Sequence, residues 1–186
     1  MAILAANCWR ASRANGSKEN EMTEDTIRLG LIGAGDISHY HLAGLQAAGG
    51  ADVRVICGRH ADRVGPVAEQ CGVPDIETDY RTVLDRDDID AVLILTPEKS
   101  HEEIAVATAD AGKAMMVQKP FADSIESCES MIKAAERCGV NLQVSYMHRH
   151  SEEVVYAREL IRSGQFGPIH TVCMRNATFG PIMPWY

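Results

Sequence analysis

Five short apolar runs, separated by stretches of helical character, narrow the fold of this chain more than any other feature. Ile27–Ile32, Val53–Cys57, Ala91–Leu95, Ala114–Val117 and Asn141–Val144 are nearly continuous in aliphatic residues, with little polar alternation. A strand apolar on both sides is one covered on both sides, which is the situation of a parallel sheet in an α/β protein. The segments between them carry helix punctuation. Ser100-His101-Glu102-Glu103 reads as a capping box, with Ser100 taking an amide of the first turn and Glu103 reaching back. Asp123-Ser124-Ile125-Glu126 is a related acidic start. Gly112, Gly139 and Gly164 fall where a left-handed residue ends a helix. Strand–helix alternation with right-handed crossovers predicts a doubly wound parallel sheet, an α/β fold.

The first strand runs into Gly33-Ala34-Gly35-Asp36-Ile37-Ser38. This supplies the first two glycines of the G-x-G-x-x-G dinucleotide fingerprint, with Ser38 as a small substitute in the third position. Gly33 permits the tight turn and Gly35 lets the backbone approach a pyrophosphate, which would rest on the amides opening a helix from Ile37. The position after a strand and before a helix makes this a Rossmann-type loop rather than a plain turn. About 20 residues on, a site for NAD places a carboxylate against the ribose hydroxyls. Here the second strand ends in Gly58-Arg59-His60, without one. Arg59, backed by His60, suits a 2′-phosphate, so the expected cofactor is NADP or NAD, with the lean toward NADP.

Composition excludes some classes. The chain has 186 residues, is 46% hydrophobic and 24% charged, and carries a formal net charge of −8. That is an ordinary globular composition without the local Lys and Arg excess needed by a nucleic-acid or anionic-membrane surface. No apolar run approaches a membrane span in length. Six cysteines without a Cys-x-x-Cys pair read as reduced thiols, mostly buried, in a cytoplasmic compartment. His148-Arg149-His150 does not suit a metal, because three adjacent positions cannot all face one ion from regular structure. Gly-Lys-Ser/Thr does not follow the glycines and no Tyr-x-x-x-Lys occurs at Tyr146 or Tyr156, which removes P-loop nucleotidases and short-chain dehydrogenases.

From Ile27 to about Thr178 the chain resembles the Gfo/Idh/MocA oxidoreductases, the relatives of glucose–fructose oxidoreductase and inositol dehydrogenase. The resemblance is carried by Gly33-Ala34-Gly35-Asp36-Ile37 and by Thr96-Pro97 with His101. It continues in Ala111-Gly112-Lys113 leading to Val117-Gln118-Lys119-Pro120, and in Ser145-Tyr146-Met147-His148-Arg149. It implies hydride transfer between nicotinamide and a hydroxyl or carbonyl of a sugar, inositol or similar polyol. Lys119 inherits the catalytic place beside the reacting oxygen. The family signature is Glu-Lys-Pro, so a neutral Gln118 changes the surroundings of that ammonium. Gly33, Gly35, Asp36, Ile37, Gly58, Arg59, His60, Thr96, Pro97, His101, Gln118, Lys119 and Pro120 form the expected cofactor set. His148 and Arg149 would stand near the substrate.

Three segments follow from these readings. Residues 1–25 read as a disordered or spuriously extended N-terminus, with Met22 a plausible start and an organellar presequence still open. Residues 26–146 form the Rossmann domain. Residues 147–186 read as the truncated start of a second α/β domain, with a helix over Ser151–Ser163 and a strand over Gly167–Thr178. In relatives that domain walls the substrate, often makes the homo-oligomer contact and adds an Asp/His acid–base pair. The chain therefore reads as the first half of an enzyme, weak or inactive alone. A non-catalytic dinucleotide-binding module, a sensor or partner subunit, is the alternative.

Overall fold

A computed structural model describes residues 26–175. Within them the chain divides after His150 into two units. The first holds six parallel strands, β1 (Ile27–Ile32), β2 (Ala51–Cys57), β3 (Asp75–Glu77), β4 (Ala91–Ile94), β5 (Ala114–Gln118) and β6 (Leu142–Ser145). Between them lie α1 (Asp36–Ala48), α2 (Ala61–Cys71), α3 (Tyr80–Leu84), α4 (His101–Asp110) and α5 (Ile125–Cys138). The strand order is β3-β2-β1-β4-β5-β6. This is the doubly wound Rossmann arrangement, with its topological switch point between β1 and β4.

Side-chain alternation along the strands builds one core on each sheet face. Leu29, Leu31, Leu93 and Leu95 pack with Leu42 of α1 and Val64, Val67 and Ala68 of α2. Ile32, Val92, Ile94, Met115 and Val117 pack with Val83 of α3, Ile104, Ala105 and Ala109 of α4, and Met131 and Ala134 of α5. Gly30 is required by the second core. A Cβ there would lie 2.6 Å from Val83 Cγ1. The β1–β2 register shifts between Leu29 and Gly30.

Helix chemistry follows local sequence, with one correction. Ser124 caps α5 by accepting from the Ser127 amide at 3.0 Å, and Asp79 caps α3 by accepting from the Arg81 amide at 3.0 Å. Gly112, Gly139 and Gly164 all have positive φ near 65–70°. The capping box expected at Ser100 does not form. A turn of 3-10 helix over Glu98–Ser100 precedes α4, and the Ser100 hydroxyl bonds the Pro97 carbonyl and Thr96 Oγ1 instead. Glu103 is drawn away by the Tyr80 hydroxyl at 2.6 Å and Arg81 at 3.0 Å. Two groups on a neighbouring helix outcompete one backbone amide.

The second unit contains α6 (Glu152–Arg162), with Glu152 and Glu153 in the first turn and Arg162 in the last, as the helix dipole favours. The strand expected over Gly167–Thr178 is not formed in its described part, residues 167–175, since among the described residues no strand pairs with it. Residues 176–178 and the N-terminal segment 1–25 lie outside the described residues. The cysteines also differ from expectation: of the five described, Cys57 is buried, Cys71, Cys128 and Cys138 are half-buried and Cys173 is exposed. Among the described residues no helix is long and apolar enough to cross a membrane.

Candidate functional site

Register brings the strand ends to one edge. Ile32 pairs with Cys57 and Ile94, Ile94 with Val117, and Gln118 with Ser145. The segments that follow these residues therefore gather at the carboxyl edge of the sheet, where open α/β sheets bind ligands. Together with Gln118, the last residue of β5, they carry the site residues expected from the sequence.

The glycine loop is built against the end of β4. Gly33 has φ of +111°, and a Cβ on it would lie 2.7–2.8 Å from the backbone of Leu95 and Thr96. Its amide donates to the Cys57 carbonyl at 2.8 Å, and the Leu95 amide to the Ile32 carbonyl at 2.7 Å. Gly35 differs. Its φ of −87° is open to any residue, and nothing lies within 4 Å of an added Cβ. It is the N-cap of α1 without a side-chain cap, so the first amides of α1 are left with no side-chain acceptor. Ser38, fully buried, donates to the Gly35 carbonyl through its amide at 2.9 Å and its hydroxyl at 2.6 Å. Asp36 is exposed in the first turn, and Ile37 packs inward against the α1–α2 core.

At the end of β2, Gly58 leaves room for both the loop and α2, because a Cβ would lie 2.8 Å from Val64 Cγ2 and 3.5 Å from Ala34 Cβ. Arg59 and His60 are exposed, and His60 is the N-cap of α2 through its backbone. The Cys57 thiol beneath them is pushed up to about 11, by burial first and then by the Asp79 and Glu77 carboxylates.

After β4, Thr96 is half-buried and Pro97 exposed. His101 is buried, with Nε2 2.7 Å from the Thr96 carbonyl and Nδ1 3.0 Å from the Phe121 carbonyl. A neutral imidazole donates to one of these at a time. In any one neutral tautomer His101 therefore hydrogen-bonds one of the two turns it stands between, the one after β4 or the one after β5. Gln118 is buried, whereas Lys119 and Pro120, joined by a cis peptide, are exposed. His148 and Arg149 are exposed in a 3-10 turn over Met147–His150, one strand over from Lys119.

One residue at this edge escapes the sequence reading. His41 of α1 lies 3.5 Å from Gln118 Nε2, and burial holds its imidazole below the ordinary value. Its signal was a polar residue within the inward stripe Ile37, His41, Leu45 at i, i+4 and i+8.

The model of an oxidoreductase family with an NAD-binding Rossmann fold, GFO_IDH_MocA, matches residues 27–146. The chain belongs to this family. Among relatives of this Gfo/Idh/MocA chain, a Sphingobium 4-carboxy-2-hydroxymuconate-6-semialdehyde dehydrogenase is 34% identical, over 75% of the chain and 44% of its own length. A Shewanella glycosyl hydrolase family 109 protein is 32% identical, over 90% and 41% respectively. An inositol 2-dehydrogenase of Saccharopolyspora erythraea is 30% identical, over 86% and 48%. The chain thus spans less than half the length of these relatives. Solved structures agree in fold. A levoglucosan dehydrogenase in complex with NADH superposes with a TM-score of 0.71 at 28% identity, covering 76% of this chain and 40% of that one. A 3-ketoreductase of Actinomadura kijaniata holding NADP does so at 0.67 and 29%, covering 75% and 43%.

Proposed function

We propose that this Gfo/Idh/MocA domain binds a nicotinamide dinucleotide at the β1–β4 switch point and serves an oxidoreductase acting on a hydroxyl or carbonyl of a sugar, inositol or similar polyol. The observation that carries the reading is the open space over Gly35 beside the uncapped start of α1, against a Gly33 with no room at all. A backbone kept bare on the side of the helix amides fits a diphosphate, since a helix N-terminus offers donors and a positive dipole end.

In this reading the amides around Gly35, Asp36 and Ile37 hold the pyrophosphate. Thr96, Pro97, Gln118 and Pro120 line the way to the nicotinamide, with His101 behind them. The nicotinamide supplies the hydride acceptor or donor. Lys119, exposed at the same edge, holds the reacting oxygen and shares its proton. His148 and Arg149 orient the substrate from the neighbouring strand end. Arg59 and His60, exposed beyond Gly58 in a strand end that carries no carboxylate of its own, favour NADP over NAD, although Glu77 of β3 and Asp79 lie near that end. The solved relatives hold NADH in one case and NADP in the other, so the family accommodates both.

Calorimetric titration with NADPH and NADH, repeated with Arg59→Ala, tests the reading. Tighter NADPH binding that weakens selectively in the variant is expected. Equal affinities untouched by the substitution would remove Arg59 from the site. No binding to folded protein would overturn the dinucleotide reading.

A second reading is favoured by the Shewanella relative named as a glycosyl hydrolase. Some glycosidases depend on NAD. Cleavage of a glycoside with no net change in nicotinamide absorbance would select it over a dehydrogenase.

A further inference from the structure

Gln118 is the last residue of β5, and its carboxamide is engaged at both ends. One end faces the Lys119 amide at 2.8 Å. A backbone N–H only donates, so that end is Oε1, and the NH₂ group must turn toward His41 Nε2 at 3.5 Å. An NH₂ group offers only protons. His41 therefore meets it with a lone pair on Nε2, the ring neutral and its proton on Nδ1. Burial, which holds the imidazole below its ordinary value, favours the same form. His41 lies on α1, the helix whose uncapped first turn opens beside Gly35.

We propose that Gln118 is a positioning residue that clamps α1, through His41, to the turn carrying Lys119, so that seating a diphosphate on α1 and setting the Lys119 backbone are one coupled event. The inference rests on the dinucleotide reading above. With the His41 proton on Nδ1 the clamp uses a group that donates to one side and accepts from the other, as a carboxamide does. A carboxylate at this position accepts on both sides, and His41 would have to carry a proton on Nε2 to meet it.

Two measurements test the clamp. The first needs no cofactor: the His41 ring is titrated by NMR in the wild type and in Gln118→Glu. The carboxylate should raise the His41 midpoint by about one pH unit or more, as an opposed charge does. An unchanged midpoint overturns the contact. The second follows the Lys119 amide during NADPH titration of the full chain. In the wild type it should shift in step with saturation. In His41→Phe, and in Gln118→Met, which keeps the length of the side chain without either hydrogen-bonding end, NADPH should bind about tenfold more weakly. The Lys119 shift should fall by at least half. An undiminished Lys119 response in whichever variant folds overturns the coupling. If the folded wild type binds neither NADPH nor NADH, the dinucleotide reading fails and takes the coupling with it, while the His41 titration still reports on the contact alone.

Discussion

Gly33 and Gly35 are two residues apart in one loop, yet alanine at each should fail in opposite ways. At Gly33 the new Cβ would sit 2.7–2.8 Å from Leu95 and Thr96 main-chain atoms, at a φ of +111°. Backbone cannot swing aside as a side chain does. A strained φ costs about 1–3 kcal/mol and overpacking a similar amount, together about 2–6 kcal/mol. That is a large part of a domain stability of about 5–15 kcal/mol. At Gly35 the φ is −87° and the space is empty, so alanine is unstrained; the gain of about 0.4–1 kcal/mol from a less flexible unfolded chain is offset by a similar loss at the N-cap of α1, where glycine is preferred to alanine. Its methyl, however, stands where a diphosphate would have to approach the α1 amides. Urea unfolding should show Gly33→Ala with a markedly lowered midpoint and Gly35→Ala close to the wild type. Calorimetry should show NADPH affinity reduced at least tenfold in Gly35→Ala. A Gly33→Ala midpoint equal to the wild type would refute the steric argument, and full affinity in Gly35→Ala would refute the cradle.

Other consequences are open to simpler assays. Lys113 is nearly buried and donates to the Arg86 and Ile89 carbonyls at 2.7 and 2.9 Å, so Lys113→Met should cost about 2–3 kcal/mol in urea unfolding. A loss under 0.5 kcal/mol would mean that water replaces the ammonium. The Cys57 thiol, pushed up to about 11 by burial and nearby acids, should resist alkylation at pH 8 while exposed Cys173 reacts; comparable rates would contradict its burial. Hydrogen bonds from Arg86 hold the Asp88 carboxyl at about 2, below its unfolded value of about 4. Its contribution is complete above pH ~4 and is lost as pH falls through 2. The difference in urea midpoint between wild type and Asp88→Asn should shrink on acidification from pH 6 to pH 2, and a constant difference would count against the pair.

The sheet was largely legible because parallel strands covered on both faces leave apolar runs that nothing else explains. β3 left no such run: Asp75-Ile76-Glu77 is a strand only because β2 pairs with it, Val55 to Asp75 through Cys57 to Glu77. α3 is a single capped turn and too short for a periodic pattern. At the site, the glycine loop could be read because its residue types answer to backbone geometry. Ser100 and Glu103 misled because a capping box is one local pattern among others: Thr96 and Pro97 in the preceding turn take the Ser100 hydroxyl, and Tyr80 and Arg81 take Glu103 from more than 20 residues away. His41 was overlooked for a related reason. Its partner, Gln118, lies four strands further along the chain, and only the fold brings α1 and the end of β5 together.

The abutment of Gly33 on Leu95 and Thr96 also sets an order of assembly. During synthesis from the N-terminus, β1 and β2 can zip together early, but the wall that holds Gly33 in its turn belongs to β4. Between the two come α2, β3 and α3. On the proposed dinucleotide reading, a nascent chain carries the glycine motif before it has the wall behind Gly33, and should gain nucleotide affinity only once β4 has paired with β1. Bound dinucleotide should then stabilise only those chains whose β1 and β4 have found each other, by mass action on the paired form.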